Sequence, residues 1–316
     1  EMLGVLSKNG LEEAEDSIFN EVATADWYYQ GDLKQLSEVH KTEQDFSGYT
    51  SGIGGLDKVL GGFFFGQLTV HGGSHKSGKT MAVIKIACEA ANQGGKVCVW
   101  PGEDNADDFK YKTAVHLAGY DGTEIRTSSV TGTEYAVVID DYVNRIDCFL
   151  HDKIFFLDKR SGMTEQDLIE NFTLAFRRYG CDTFIVDNLM KLVNAKESSN
   201  TNVRQAQIVD ALSNFAKEYK VHVHLVVHTN KSGDFLEPPS INNISGTKDI
   251  ANLADRVILW WRIPEAVRPD YGMHQTLIIV AADRVFGAEA SFPILYDKKV
   301  KRYGQTALEL SRGYSL

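Results

Sequence analysis

"GQLTVHGGSHKSGKTMAVIKIACEAANQGG", residues 66–95, decides how the rest of the chain is read. Leu68-Thr69-Val70 is a short β-like run, and Gly73, four residues and Gly78-Lys79-Thr80 give the spacing G-x-x-x-x-G-K-[ST]. Apolar residues then recur at helical intervals from Met81 until Gly94-Gly95 stops the pattern. Strand, glycine-rich turn and helix in this order make a phosphate loop, because inward-pointing backbone N–H groups and the positive end of the helix both favour an anion. Gly73, Ser74, His75, Lys76, Ser77 and Gly78 line the turn. Lys79 brings a point charge for the β/γ-phosphates and Thr80 a hydroxyl for Mg²⁺. ATP or another NTP or dNTP, with Mg²⁺, is the expected cofactor set.

Outward from the loop, the composition is that of a globular protein. The 316 residues are 43% hydrophobic and 24% charged, enough for one large domain or a domain with an appendage. A net charge of −10 argues against an overall basic coat but allows a local basic lining on an acidic body. No apolar run approaches the roughly 18 residues of a transmembrane helix, so no membrane partner is expected. Cys88, Cys98, Cys148 and Cys181 show no C-x-x-C pairing and read as buried small hydrophobes of a reduced compartment.

Residues 10–30 space Leu11, Ala14, Ile18, Val22 and Ala25 as an acidic amphipathic helix, and the polar stretch from Gln30 to Gly52 reads as a linker. A domain boundary therefore falls near residue 50, giving 1–50 and 51–316. Strands are predicted at 67–71, 96–101, 153–157, 182–187 and 221–228, with helices near 79–93, 105–119, 133–150, 164–179 and 202–219. Such alternation argues an α/β fold with a mostly parallel central sheet and helices on both faces. After residue 255, "DRVILWWR", "QTLIIVAA" and "SFPILYD" read as strands without helices between them, an antiparallel edge extension.

A magnesium-holding aspartate belongs at the carboxyl end of a central strand beside the phosphate loop. Asp140 and Asp141 follow a segment whose spacing fits a helix better; Asp158 ends a possible strand; Asp187 ends "TFIVD", the run of strongest strand character, and is favoured. Glu103 in "KVCVWPGED" lies just past a buried strand, where a carboxylate could deprotonate an attacking water, with Asp104 the competing candidate. "HVHLVVH" places His222, His224 and His228 on one strand face, spread over about 20 Å, too far for one metal. His228, at the strand's end, could instead reach a γ-phosphate.

In this order the pieces resemble a RecA-like ring helicase of the DnaB-like superfamily, of the mitochondrial Twinkle and phage primase–helicase type. "SGIGGLDKVLGGFFFGQLTVHGGSHKSGKT", "VWPGE", "CDTFIVDNLMKLV", "VHVHLVVHTNKSGD", "ISGTKDIANLADRVILWWR" and "AADRVFGAEASFPILYD" carry the resemblance over roughly residues 50–300. It implies a replicative-type, NTP-driven DNA helicase that translocates on single-stranded DNA as a hexameric ring. It makes Lys79 and Thr80 the phosphate and Mg²⁺ contacts, Glu103 the catalytic base, Asp187 the Mg²⁺-associated acid, His228 the γ-phosphate sensor and Arg284 an arginine finger acting on the neighbouring subunit. Arg262 and Tyr296 fall where the base is contacted. Asn230, Lys231, Ser232 and Gly233, then Gly246 to Lys248, would face the channel and hold DNA, with 194–202 a second channel loop. Residues 1–50 become a linker and subunit-docking region.

One departure is Ala282, where the family often carries a lysine two residues before the finger; that second basic contact is then either missing or supplied elsewhere, with Lys248 and Arg256 the candidates. The resemblance also implies a primase or polymerase partner and a cytoplasmic or nucleoid-associated setting, the mitochondrial matrix being the alternative. A RecA-like strand-exchange or clock ATPase shares the entry "TSGIGGLDKVLGG" and is the competing reading.

Overall fold

The computed structural model describes residues 45–158, 162–192, 201–229, 236–244, 248–272 and 274–316. The helix expected at 10–30, most of the linker, residues 194–200 of the second channel loop, and Asn230, Lys231, Ser232, Gly233 and Gly246 lie outside them, as does the side chain of Lys248. The compact unit runs from Phe46 to Leu316. In chain order its elements are β1 (Gly48–Tyr49), α1 (Gly54–Leu60), β2 (Phe63–Phe64), β3 (Gln67–Gly73), α2 (Lys79–Asn92), β4 (Val97–Pro101), α3 (Ala106–Ala118), β5 (Thr123–Thr127), β6 (Glu134–Val138), α4 (Asp140–Leu150) and β7 (Ile154–Phe156). Then come α5 (Glu165–Tyr179), β8 (Thr183–Asp187), α6 (Thr201–Tyr219), β9 (His222–His228), α7 (Lys248–Leu253), β10 (Arg256–Arg262), β11 (Thr276–Asp283), β12 (Ala290–Asp297), β13 (Arg302–Gly304) and α8 (Ala307–Ser311).

The long apolar strands lie where both sheet faces are covered. One nine-stranded sheet has the order β13-β12-β11-β10-β3-β9-β8-β4-β7. From β10 to β7 every neighbouring pair is parallel. β11, β12 and β13 add on antiparallel, as the sequence predicts. Alternation along each strand divides the core in two. Val97, Val99 and Ile185 face α2 with Ile84 and Cys88, whereas Cys98, Trp100, Phe184 and Val186 face the side of α5 and α6 with Phe172, Leu212 and Phe215. Helix ends carry their own signals. Thr164 and Asp167 form a reciprocal capping box on α5, and Asn105 caps α3 by accepting from the Asp108 amide at 2.7 Å.

Three expectations are corrected. The helix predicted at 133–150 begins only at Asp140. Residues 134–138 instead pair with Thr123–Thr127 as an antiparallel hairpin, from Thr123 opposite Val138 to Thr127 opposite Glu134. The half-exposed β6 has too little burial contrast for its alternation to stand out, and its apolar residues also fit helical spacing. The stretch after residue 255 is not free of helix: a 3₁₀ turn, Glu265–Tyr271, joins β10 to β11. Of the cysteines, Cys88, Cys98 and Cys181 are buried, but Cys148 is exposed on α4.

The chain's last residues strap the two helices flanking β4. Buried Arg302 donates to the carbonyls of His116 and Leu117 at the end of α3, and to those of Leu310 and Arg312. The Tyr314 hydroxyl sits 2.7 Å from His116 Nε2 and donates to Glu89 on α2 at 3.2 Å, while the Ser315 amide donates to Asn92 at 3.1 Å.

Candidate active site

The sheet's parallel register sets the site. β3 ends at Gly73 opposite His228, the last residue of β9, and Asp187 ends β8 beside them. Glu103 lies two residues beyond the end of β4. Strand ends that are remote in sequence therefore meet at one edge of the sheet.

Gly78, the cap of α2, has a φ of 94°, a left-handed conformation suited to glycine. A Cβ there would also lie 1.8 Å from the Tyr303 hydroxyl. Lys79 folds over the turn, its ammonium donating to the carbonyls of Gly73 at 2.8 Å and Ser74 at 2.7 Å. The Thr80 hydroxyl donates to Asp187 Oδ2 at 2.6 Å. Burial pushes the Asp187 carboxyl up to about 6, against the opposing pull of Thr80 and Lys79. Burial also brings the Lys79 ammonium down to about 8, although Asp187 and Glu103 favour its charge. A polyphosphate would favour the ammonium, and the hydroxyl–carboxylate pair consists of the hard oxygen donors Mg²⁺ takes. The residues thus fit an NTP–Mg²⁺ complex.

Glu103 and His228 come together through Asn188, which sequence reasoning passed over. Asn188 Nδ2 donates to Glu103 Oε1 at 2.9 Å and lies 3.0 Å from His228 Nε2. Asp104, the rival base, instead faces Lys112, whose ammonium lies 2.8 and 2.6 Å from its two oxygens. Beside the turn, a cavity of about 900 Å³ is lined by Lys76, Ser77, Gly78, Arg262, Tyr296 and Tyr303, among others. It holds both residues expected at a base, and Tyr303 packs on Tyr296 with ring centroids 4.7 Å apart. Tyr303 was also missed: its position over Gly78 arises from a contact spanning 225 residues, which no local pattern signals.

His222 and His224 turn into the core. Trp260 Nε1 donates to His71 Nδ1 at 3.2 Å, His71 Nε2 lies 3.0 Å from His224 Nδ1, and His222 bonds Thr69 at 3.0 Å and the Phe64 carbonyl at 2.6 Å. Their roles in this arrangement are structural.

Arg284 lies at the other end of the sheet. Arg256 pairs in register with Thr69 and Asp283, four residues before Gly73, or roughly 13 Å at strand rise. The exposed Arg284 follows, its guanidinium donating to the Asn252 carbonyl and its amide to the Asp255 carbonyl. The neighbouring Asp283 is taken by Arg256 at 3.0 Å with both side chains 0% exposed. Arg256 also donates to the Gly62 and Leu60 carbonyls. It is therefore unavailable as the substitute for Ala282, a correction the sequence could not foresee without the buried pair. The loop that follows β9 springs from Thr229, whose amide donates to the Gly73 carbonyl at 3.1 Å and which bridges to Ile244.

The model of the DnaB-like helicase C-terminal domain matches residues 48–305. A replicative DNA helicase DnaB of Helicobacter pylori (strain ATCC 700392 / 26695) is 22% identical over 227 residues, 70% of this chain and 45% of that protein. Its counterpart in Rickettsia bellii (strain RML369-C) is 20% identical over 243 residues, 73% of this chain and 48% of that protein. The chain thus spans about half the length of these curated relatives. Among solved structures, an ATPase domain superposes with a TM-score of 0.68 at 15% identity, covering 95% of this chain and all of that one. A DnaB-like replicative helicase, studied with its interactions with primase, gives 0.66 at 14%, covering 94% and 67%. With a phosphate loop and carboxylates on a RecA-like sheet, and a family match over most of its length, the chain belongs to the DnaB-like helicase C-terminal domain family.

Proposed function

We propose that this chain is the motor of a replicative-type DNA helicase, a hexameric ring that hydrolyses NTP to move along single-stranded DNA and part a duplex. The observation that carries the reading is the meeting of Thr80 with Asp187, and of Glu103 with Asn188 and His228, at the edge that bears the phosphate loop. Lys79 and the turn 73–78 hold the phosphates, and Arg262 and Tyr296 border the cavity for the base. Thr80 and Asp187 are the residues that would hold Mg²⁺, which would supply positive charge against the phosphates. Glu103 accepts the proton of the attacking water; its side chain is 44% exposed, and its rival Asp104 is occupied by Lys112. His228 senses the γ-phosphate, and because Thr229 bonds Gly73, a change at the turn reaches the loop bearing Asn230, Lys231, Ser232 and Gly233. That loop, with Gly246 and Lys248, holds the DNA backbone.

Arg284, remote from its own phosphate loop, acts on a neighbour's nucleotide. Residues 1–50 dock subunits, and 51–316 form the ATPase domain. A primase is the partner class favoured by the solved relative studied with one, a polymerase the second, and the bacterial nucleoid the setting. Microscopy with a non-hydrolysable NTP and oligo-dT, followed by forked-duplex unwinding, tests the reading. Closed rings that unwind support it. Filaments without unwinding would favour the strand-exchange ATPase.

A further inference from the structure

Asn188 follows the aspartate that ends β8 and lies, almost wholly buried, between two groups of the proposed machinery. Its amide orientation is fixed chemically. The Met190 backbone N–H, which can only donate, points at Oδ1 from 3.0 Å, so the oxygen lies on that side and the NH₂ on the other. The two amide hydrogens then meet Glu103 Oε1 at 2.9 Å and His228 Nε2 at 3.0 Å. An amide nitrogen is a donor, not an acceptor, so Nε2 must receive this bond. In the neutral ring the proton therefore sits on Nδ1, which is buried and finds no partner among the described residues.

Without Asn188, Nε2 and Glu103 Oε1, now 3.8 Å apart, would face each other directly. An imidazole beside a carboxylate takes up a proton and forms an ion pair, which would occupy the base and reverse the ring's donor pattern. The other charged or titratable groups acting on His228 are Lys79 at the start of α2 and His75 in the turn, both opposing a positive ring; Glu103 favours one.

We propose that Asn188 is a positioning residue that keeps Glu103 and His228 from pairing and fixes His228 as its Nδ1–H tautomer. Nδ1–H is thereby the ring's one N–H donor, and Glu103 keeps its second oxygen for water. The inference rests on the reading of Glu103 as base and His228 as sensor.

Asn188→Asp is isosteric and keeps the acceptor for Met190, but turns an acceptor toward Nε2. Magic-angle-spinning NMR of ¹⁵N-histidine-labelled full chain, with His228 assigned by its loss in His228→Gln, reads the tautomer without turnover. In the unsubstituted chain Nε2 should be unprotonated and Nδ1 protonated. In Asn188→Asp, Nε2 should become protonated and the ring should titrate at higher pH. NTPase kcat should fall about 10²-fold, with KM changed less than about threefold. An Nε2-protonated ring in the unsubstituted chain would overturn the proposal, as would a His228 signal that Asn188→Asp leaves unmoved. Glu103→Gln separates the two readings: retained turnover there would remove Glu103 as base while leaving the tautomer result standing.

Discussion

At one end of the parallel strands, Lys79, Asp187, Glu103 and His228 gather around a turn open to solvent, with Glu103 44% and His228 25% exposed. At the other end of the same strands, Arg256 and Asp283 are sealed at 0% exposure, and the arginine's remaining donors reach backbone carbonyls. Both ends hold unlike charges a few ångströms apart, so proximity alone does not make a reactive site. The sealed pair is bonded from within the fold, each of the three Arg256 nitrogens finding an acceptor there. The open end keeps capacity for something that arrives: the Lys79 ammonium rests on two backbone carbonyls rather than on a counterion, and burial raises the Asp187 carboxyl to about 6. Arg284 lies beside the sealed pair but outside it, and its proposed action on a neighbour's open end is open to test.

The largest expected effect sharpens that last point. Arg284→Ala should bind NTP normally and hydrolyse it on the order of 10³-fold more slowly. Rings mixed from Arg284→Ala and Lys79→Ala chains, verified by mass, should recover part of the activity both parents lack. No recovery at any ratio would remove the trans assignment.

Next comes the sealed end. Asp283→Ala leaves the Arg256 charge buried without its counterion and should lower unfolding free energy by at least about 3 kcal/mol. In urea melts, the paired change Arg256→Met with Asp283→Leu should recover much of this. A single variant as stable as the parent would show that the carbonyl bonds alone satisfy Arg256.

At the open end, Glu103→Gln should cut hydrolysis about 10²-fold or more, or roughly 2.7 kcal/mol of barrier, with little change in folding. Asp104→Asn should stay within about threefold. Equal losses in both variants would blur the distinction drawn from Lys112.

The effect that is smallest for any single group concerns pH. Burial pushes His71 and His222 down to about 3 and His224 well below the ordinary value of 6.5. The unfolded chain therefore binds more protons than the folded one below about 6.5. Stability from these groups is complete above that pH and is lost as pH falls toward about 3. The loss should be on the order of 1 kcal/mol per histidine between pH 7.5 and 5.5. Asp187, raised to about 6, works the other way, penalising the folded state as pH rises through that range. Urea melts of Asp187→Asn should therefore show a steeper acid loss, and a flat profile would mean that the histidines hold their protons in the fold.

How much of this was legible depended on where each signal resides. The strands around Val97–Trp100, Phe184–Val186 and Val223–Val227 are buried on both faces, so continuous apolar runs betrayed them. The Gly73–Thr80 turn was legible because its chemistry is local. Asp187 stood out as the polar residue ending an apolar strand. The hairpin at 123–138 stayed hidden because much of it is exposed. Asn188 was overlooked because its partners are 85 and 40 residues away and nothing about an asparagine after an aspartate announces them. Tyr303 and the pairing of Arg256 with Asp283 likewise depend on strands that meet only in the folded sheet.

The strap formed by Arg302, Tyr314 and Ser315 has a mechanical consequence. Tension applied beyond residue 316 would load Tyr314 and Ser315 first, and through Glu89 and Asn92 would pull on the far end of the helix that begins at Lys79. A rigid fourteen-residue rod carries force along its axis, so such a load would be delivered to the nucleotide-holding turn rather than dissipated in a loose tail. A cargo or surface tethered there would tug on the phosphate grip itself.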